Sequence, residues 1–214
     1  MKWGLMGGTF DPIHLAHLRC AQEILEHFGL DRVVFIPSAT PPLKHGPGVT
    51  PYEHRERMVR LALEGNPAFA FSDVENRREG RSFTVDTIGY FRETFGEDLE
   101  IFFILGQDAF ADIRRWKDWR RLLTLCNFIV MSRPGWGRGA LRRALPPALA
   151  SRFVYDRKAR VYRGPSGSLI AFARVTALAI GATDIRQRVK QGRSIRYLVP
   201  DAVREYIESQ GLYK

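Results

Sequence analysis

The sequence predicts an α/β fold in which a doubly wound, mainly parallel sheet carries helices on both faces. Two observations predict it. Short apolar runs rich in β-branched residues alternate with longer segments of helical periodicity, and strands that are apolar throughout are typical of a parallel sheet covered on both sides. The chain has 214 residues, of which 45% are hydrophobic and 26% charged, and this fits one globular domain over residues 1–214.

The first segments form a strand, turn, helix, strand pattern. Residues 2–6 are a short apolar run that Gly7 and Gly8 end, which predicts a buried strand followed by a tight turn. Residues 14–29 carry apolar side chains at helical spacing and end on a glycine, a common helix terminator. Residues 32–37, RVVFIP, are a second β-branched run. Together they predict a βαβ unit.

The same alternation continues along most of the chain and predicts a Rossmann-like fold. Residues 134–168 interrupt it, and their Pro, Gly and Arg content predicts a long connection with at most one short helix. The last helices give a small helical part at about residues 176–214. Further strands are expected at residues 69–74, 100–106, 127–132 and 169–172, and further helices at residues 52–64, 86–95, 116–125, 183–191 and 200–210.

Basic residues outnumber acidic residues, 33 to 23, which gives a net charge of +10. Such a balance suits nucleic acid, an anionic membrane or small polyanionic substrates. Many of the basic residues lie between Arg114 and Arg163, where ordinary solvated helix faces and loops would account for them equally well. No helix-turn-helix, zinc-finger or RNA-binding signature accompanies them, so we expect no nucleic-acid partner.

The sequence also indicates a cytoplasmic protein with no membrane partner. No apolar run approaches the roughly 20 residues of a membrane helix. The first residues, MKWGLMGG, do not form a secretory signal. Cys20 and Cys126 lack metal-ligand spacing and are expected to be reduced core thiols.

The turn after the first strand has the features of a phosphate site. Residues 7–17 read GGTFDPIHLAH. Glycines at a strand end let the backbone approach a ligand, and a helix N-terminus offers free N–H groups and partial positive charge. His14 and His17 share one helix face, where both can donate hydrogen bonds to phosphate oxygens. A metal half-site or two structural histidines are the alternatives.

This segment resembles the Gly-x-Phe-Asp-Pro-x-His-x-Gly-His signature of the class I nucleotidylyltransferases. Residues 8–17 match every specified position except Ala16, where the pattern has glycine. The P-loop ending and the G-x-G-x-x-G fingerprint are both absent. The resemblance implies catalytic roles for both histidines and an ATP site that includes Gly7, Gly8, Thr9, Phe10, His14 and His17.

Residues 180–186, IGATDIR, resemble a second signature of that family, Ile-Ser-Ser-Thr-x-Ile-Arg. Gly181 and Ala182 replace the two serines, so two hydroxyl groups are missing. Thr183 is a plausible N-cap. The resemblance implies that Thr183, Ile185 and Arg186 bind ATP, and that Arg186 is a catalytic residue that holds the β- and γ-phosphates.

Further segments resemble one branch of the family, the nicotinate mononucleotide adenylyltransferases, from Trp3 to Tyr213. This resemblance implies that Gly106 and Asp108 bind ATP at its ribose. The alternatives are a solvated loop lysine for Lys44, a helix N-cap for Asp108 and a core or surface aromatic for Trp116. The segments are residues 41–45 (PPLKH), 82–87 (SFTVDT), 106–108 (GQD), 132–135 (SRPG) and 210–213 (QGLY). The nicotinate mononucleotide site that the branch implies comprises Lys44, Thr84, Trp116 and Arg133.

The resemblance implies a direct displacement without a protein nucleophile. The 5′-phosphate of nicotinate mononucleotide attacks the α-phosphorus of ATP, pyrophosphate leaves, and nicotinate adenine dinucleotide forms on the way to NAD. The protein positions the two substrates and stabilises charge. Mg²⁺ is the expected cofactor, held mainly by ATP phosphates and water and by no metal site of the protein.

Other functions stay open at this point. Phosphopantetheine adenylyltransferases and cytidylyltransferases share the opening motif, and substrate preference would separate them from the nicotinate branch. Ala16, Gly181 and Ala182 leave open a homologue that has lost activity. A basic nucleic-acid-binding module is the remote alternative. The sequence does not predict whether the chain forms a homo-oligomer.

Overall fold

A computed structural model of the protein describes residues 1–40, 48–132 and 145–214. Within these ranges the strands are β1 (Lys2–Gly8), β2 (Arg32–Pro37), β3 (Phe69–Phe71), β4 (Glu100–Gly106), β5 (Asn127–Ser132), β6 (Val154–Asp156), β7 (Val161–Arg163) and β8 (Leu169–Arg174). The helices are α1 (Leu15–Phe28), α2 (Tyr52–Leu63), α3 (Thr84–Phe95), α4 (Gln107–Ala111), α5 (Trp119–Leu125), α6 (Pro147–Ala150), α7 (Ala182–Lys190) and α8 (Asp201–Ser209), with a 3₁₀ turn at Ile113–Arg115.

The described strands form one mixed sheet in the order β3-β2-β1-β4-β5-β8-β7-β6. The neighbours from β3 to β8 pair in parallel, whereas β7 and β6 extend the edge as an antiparallel hairpin. The strand order reverses direction between β1 and β4, as in a doubly wound sheet. The predicted mainly parallel, Rossmann-like fold is confirmed.

Helices cover both faces of the sheet because its central strands send alternate side chains to opposite sides. In β4, Ile101 and Phe103 join the core beneath α3, α4 and α5, whereas Phe102 and Ile104 join the core beneath α1, α2, α7 and α8. The central strands are buried along nearly their whole length, which explains their continuous apolar sequences.

The structure differs from the predicted elements where the local signal is short. The β6–β7 hairpin lies in the segment predicted as a connection, because its three-residue strands bury too little to show alternation. Helix α4 has five residues and was not predicted. Helix α5 begins at Trp119 rather than Trp116, since Asp118 has a positive φ of 46° that interrupts the helical backbone.

Residues 176–214 pack against the first half of the chain. Ile185, Val203 and Ile207 are fully buried in the core that α1 and α2 also cover. The Leu198 carbonyl accepts a hydrogen bond from the Leu15 N–H at the start of α1, at 3.0 Å. The first N–H group of α1 is thus bonded to a carbonyl 183 positions away in the sequence. A single domain over residues 1–214 stays a prediction.

Arg55 of α2 is the largest fully buried side chain of the described residues, with 1% exposure. Its guanidinium donates to the carbonyl oxygens of Thr9, Ser38 and Thr50, each at 2.8 Å. Thr9 follows β1 and Ser38 follows β2, so one side chain joins the loops after two adjacent strands. Because buried carbonyls without partners cost free energy, these bonds fix the backbone at the carboxyl edge of the sheet.

No helix in the described parts of the chain combines the length and the apolar character that crossing a membrane requires.

Replacing Arg55 should destabilise the fold. Arg55→Ala removes four charge-assisted hydrogen bonds, the fourth to the Ala39 carbonyl, and leaves a cavity, and we expect the free energy of unfolding to fall by about 3 kcal/mol. Arg57→Ala is the matched control, since Arg57 is exposed on the same helix. Urea unfolding followed by circular dichroism measures both. A loss for Arg55→Ala no larger than that for Arg57→Ala would contradict this account.

Candidate active site

Two clefts open at the carboxyl edge of the sheet, where β1 and β4 lie side by side and the strand order reverses. Open α/β sheets bind ligands in the crevice at that point. The clefts share four lining residues: Met6, His17, Gly106 and Met131. Two molecules bound in them would therefore lie next to each other, with His17 between them.

The first of these, the α1 cleft, has a volume of about 400 Å³. It lies between the N-terminal turn of α1, which contributes His14 and Ala16, and the start of α4, which contributes Asp108. Asp108 is exposed in the first turn of α4, so its carboxylate is available to a ligand. Cys20 lines the same cleft and is partly exposed; the expectation that it is a core thiol is wrong, because its helix face borders the cleft.

The second, the α3 cleft, has a volume of about 420 Å³ and lies between the end of β1 and the start of α3. Thr84 and Trp116 line it, together with Gly7, Gly8, Thr9 and Phe10. Trp116 is partly exposed and meets the buried Phe103 ring edge-on, with the centroids 6.0 Å apart. The predicted ATP and mononucleotide residues of these segments thus come together at one edge of the sheet.

His14 and His17 stack against each other, with ring centroids 3.7 Å apart and 21° between the planes. His14 is the N-cap residue of α1. Its backbone N–H donates to His17 Nδ1 at 3.3 Å, which leaves the proton of a neutral His17 on Nε2. Both predicted catalytic histidines are therefore adjacent, and His17 lines both clefts.

Burial lowers the pKa of His14 to about 4. The side chain is 6% exposed, and its Nδ1 has no hydrogen-bond partner. The ring is therefore neutral at pH 7, so the added charge that protonation would bring is absent in the free protein. A neutral imidazole still has one N–H to donate, and a bound phosphate would accept a hydrogen bond from it.

The turn after β1 is shaped by Phe10, whose ring is buried under Gly8. Phe10 has a positive φ of 49°, and a Cβ on Gly8 would come within 2.9 Å of its ring. The same ring meets His17 edge-on at 5.1 Å. Gly8 is therefore required for packing against Phe10, which in turn supports the His17 ring.

Arg186 of α7 reaches the turn after β1, although it lines neither of the two clefts. Its Nη1 donates to the Asp11 backbone carbonyl at 2.6 Å, and its Nη2 donates to Thr183 Oγ1 at 3.3 Å. Arg186 is partly exposed. Thr183 is not the N-cap, because Gly181 takes that position and its carbonyl accepts the Ile185 N–H. The Ile185 side chain is fully buried, so it is not available to a ligand.

Several residues of the site gave no signal in sequence that marked them as part of it. Asp11 is buried at 5% exposure, and it accepts hydrogen bonds from the Thr50 N–H and the Tyr213 hydroxyl. Asp11 and Tyr213 belong to segments that resemble the family motifs, but nothing in the sequence indicates that the two side chains are in contact. Glu75 is a buried carboxyl on the wall of the α3 cleft, and a lone acidic residue in a loop carries no pattern.

Glu75 belongs to a small buried polar cluster. Thr87 Oγ1 donates to Glu75 Oε1 at 2.8 Å, and Ser82 Oγ accepts the backbone N–H groups of Ala39 and Thr40. Burial raises the pKa of Glu75, and hydrogen bonds from Ser82 and Thr87 oppose the increase. The cluster ties the loop after β2 to the start of α3.

Two predicted site residues, Lys44 and Arg133, lie outside the described residues. Within the described part of the chain, no three His, Cys, Asp or Glu side chains form a group that could hold a metal ion. The basic side chains at the rim of the α3 cleft include Arg115 and Lys117. Lys117 pairs with Asp86 at 3.0 Å, so part of its charge is neutralised.

Known proteins resemble this chain over its whole length. A family model described as cytidylyltransferase-like matches residues 5–188. Probable nicotinate-nucleotide adenylyltransferases of Syntrophotalea carbinolica, Geotalea uraniireducens and Geobacter sulfurreducens are each 46% identical to it. Each alignment covers 100% of this chain and 98% of the relative.

Solved structures show the same fold. The nicotinic acid mononucleotide adenylyltransferase of Plasmodium falciparum complexed with NaAD superposes with a TM-score of 0.75 at 18% identity, covering 99% of this chain and 97% of that one. A putative nicotinate-nucleotide adenylyltransferase from Vibrio parahaemolyticus gives 0.64 at 16%, with 99% and 94% covered. From the family model and the 46% identity over the full chain, the protein belongs to the cytidylyltransferase-like family and, within it, to the family of the nicotinate-nucleotide adenylyltransferases.

Proposed function

We propose that this protein transfers the adenylyl group of ATP to nicotinate mononucleotide. The products are nicotinate adenine dinucleotide and pyrophosphate, and the reaction is a step of NAD biosynthesis. The observation that carries the proposal is the pair of adjoining clefts with His17 in their common wall, in a chain that is 46% identical to probable nicotinate-nucleotide adenylyltransferases.

The α1 cleft is the proposed ATP site. The first turn of α1 lies at this cleft through His14 and Ala16, and the partial positive charge of the helix N-terminus favours phosphate oxygens there. The exposed Asp108 carboxylate can accept hydrogen bonds from ribose hydroxyls, and a Cβ on Gly106 would meet no atom within 4 Å, so the backbone there is open to the nucleotide. In this arrangement the α-phosphate lies beside His17, within reach of the α3 cleft.

The α3 cleft is the proposed site for nicotinate mononucleotide. Trp116 offers an aromatic face on which a pyridine ring can stack. The first turn of α3, at Thr84, presents N–H groups that precede the first hydrogen bond of that helix. A nicotinate carboxylate bound there would gain from the helix dipole, whereas the neutral amide of nicotinamide would gain less. This asymmetry supports nicotinate as the preferred acceptor.

The reaction is an in-line displacement at the α-phosphorus. An oxygen of the acceptor 5′-phosphate forms the new P–O bond, and the bond to the bridging oxygen breaks as pyrophosphate leaves. His17 donates its Nε2–H to the α-phosphate, because its Nδ1 accepts the His14 N–H. His14 donates as a neutral ring. The protein contributes geometry and charge stabilisation, and the substrate supplies the nucleophile.

Arg186 is proposed to hold the β- and γ-phosphates. Its orientation is set by the Asp11 carbonyl and by Thr183, and neither partner neutralises its charge fully. Lys44 and Arg133 are proposed as further cationic contacts on grounds of the family motifs alone. Ile185 would take part through its core packing, which fixes the turn of α7 that carries Arg186.

Mg²⁺ is the proposed cofactor. The site residues fit an ion that arrives with ATP, since each cleft has one carboxylate among its described lining residues, Asp108 or Glu75, and no group of three side chains there could hold a metal. When bound to the phosphates, the ion neutralises part of their charge. A cytoplasmic location, expected from the sequence, stays a proposal.

Pyrophosphate release tests the reaction directly. With ATP and Mg²⁺, we expect release with nicotinate mononucleotide, slower release with nicotinamide mononucleotide, and none with phosphopantetheine. His17→Ala should lower kcat by about a hundredfold, because one donor to the transferring phosphate is lost. His27→Ala is the matched control, since His27 is exposed near the other end of the same helix. Pyrophosphate release with phosphopantetheine instead would show that phosphopantetheine, and not nicotinate mononucleotide, is the acceptor.

Trp116→Ala tests the assignment of the two clefts. Loss of ring stacking should raise the KM for nicotinate mononucleotide about tenfold and leave the KM for ATP within a factor of two. Trp119→Ala serves as control, because Trp119 lines neither cleft and its ring lies under Arg120 at 4.5 Å. An increase confined to the KM for ATP would mean that ATP binds in the α3 cleft and nicotinate mononucleotide in the α1 cleft.

The neutral state of His14 predicts an acid-sensitive fold. The pKa of His14 is about 4 in the folded protein and near its ordinary 6.5 when unfolded, so the unfolded state binds more protons between these values. Stability is therefore lost as pH falls, by about 2 kcal/mol from this group between pH 7 and pH 5. Urea unfolding of the wild type and of His14→Gln at both pH values isolates the effect; equal losses in the two proteins would refute it.

A further inference from the structure

The QGLY segment at residues 210–213 turns the chain back toward the active site. The Gly211 N–H donates to the Glu208 carbonyl, and the Leu212 N–H donates to the Ile207 carbonyl at 3.1 Å. These are the two hydrogen bonds of a Schellman motif, and Gly211 supplies the positive φ of 60° that the motif requires. The chain therefore reverses at the end of α8, and Tyr213 points inward.

Tyr213 reaches the loop that carries the phosphate-binding motif. Its hydroxyl donates to Asp11 Oδ1 at 2.7 Å. Burial and the neighbouring Asp11 carboxylate raise the pKa of Tyr213, so the phenol keeps its proton. On the other side of the same carboxylate, the Thr50 N–H donates to Asp11 Oδ2 at 3.3 Å. Both oxygens of this buried carboxylate are thus occupied by neutral donors.

Arg186 lies beside Asp11 without forming a close ion pair with its carboxylate. The Nη1 of Arg186 is 3.9 Å from Asp11 Oδ2 but only 2.6 Å from the backbone carbonyl of the same residue. The guanidinium is therefore oriented mainly by a neutral oxygen. A closer approach to the carboxylate would give a charge-assisted pair, and such pairs are among the strongest hydrogen bonds in proteins.

We propose that Tyr213 is a positioning residue that keeps Arg186 available to the ATP polyphosphate. By donating to Asp11 Oδ1, the phenol satisfies the carboxylate that would otherwise bind Arg186. The inference rests on the proposed function, because it assigns Arg186 to the phosphates of ATP. Tyr213 and Asp11 act through Arg186 and touch neither substrate.

Loss of the Tyr213 phenol should change the competition between Asp11 and the ATP polyphosphate for Arg186. Without Tyr213 Oη, Asp11 Oδ1 is buried and lacks a donor, and such a group costs free energy until it finds one. Among the described residues, Arg186 is the one cation that forms an ion pair within 4 Å of this carboxylate, at 3.9 Å from Oδ2. We expect its side chain to move closer when Oδ1 loses its donor. The polyphosphate must then compete with Asp11 for the same guanidinium.

The experiment measures binding of an α,β-methylene analogue of ATP with Mg²⁺ by calorimetry, together with steady-state kinetics. Tyr213→Phe should weaken the analogue about tenfold and raise the KM for ATP to the same extent. The KM for nicotinate mononucleotide should change by less than twofold. Tyr206→Phe is the matched control, because it removes another phenol of the C-terminal segment, one that contacts His54 Nδ1 at 2.9 Å.

Asp11→Asn separates the proposed role from a general structural one. Removing the charge removes the competitor of ATP, so Tyr213→Phe should have less than a threefold effect on analogue binding in the Asp11→Asn background. A merely structural tyrosine would weaken binding equally in both backgrounds, and that result would overturn the proposal. Unchanged affinity for Tyr213→Phe alone would do the same.

Two further measurements separate a failure of this proposal from a folding defect and from a failure of the proposed function. If Tyr213→Phe does not fold, Asp11→Asn alone decides: the proposal expects it to bind the analogue at least as tightly as the wild type, and weaker binding contradicts it. If the wild type binds the analogue but makes no dinucleotide from either mononucleotide, the proposed function fails, while the binding series still tests the link between Tyr213 and Arg186.

Discussion

The buried guanidinium of Arg55 is the constraint on which the active-site edge of the sheet depends. Parallel strands end at the same edge, but their ends do not fix the loops that follow them. Arg55 does this by donating to carbonyls in the loops after β1 and β2 and at Thr50. Thr50 donates in turn to Asp11, so the turn after β1 is held from two sides. A buried charge is tolerated here because several carbonyl dipoles solvate it.

The central fold could be predicted from sequence, and the connections between its parts could not. Strands such as residues 100–106 are apolar without interruption, so their burial and the parallel sheet follow from composition. The β6–β7 hairpin left no such pattern. In the site, His14 and His17 are adjacent because the N-cap residue and the third residue of a helix lie on one face, which is a local rule. The contact of Tyr213 with Asp11 joins residues 202 positions apart, and no local rule predicts it.

The charge state of the histidines also lay beyond the sequence. A protonated imidazole in the N-terminal turn of a helix would add positive charge to a phosphate site. In the folded protein, His14 is buried against the His17 ring, and burial opposes a positive charge on the His14 ring and lowers its pKa. In the proposed site, a neutral His14 would therefore lie close to the reacting phosphorus, and formal charge would come from Arg186, further along the polyphosphate.

The start of α7 offers backbone N–H groups where the family signature has two serines and this chain has Gly181 and Ala182. A serine at the N-cap position would use its hydroxyl to accept one of the first N–H groups of α7. Gly181 has an extended φ of −132° and no side chain, so those N–H groups stay available. In the proposed site, an anion near Arg186 would bind the helix N-terminus directly, and backbone donors would replace the missing hydroxyls. The helix itself is kept in place by Ile185, which is fully buried.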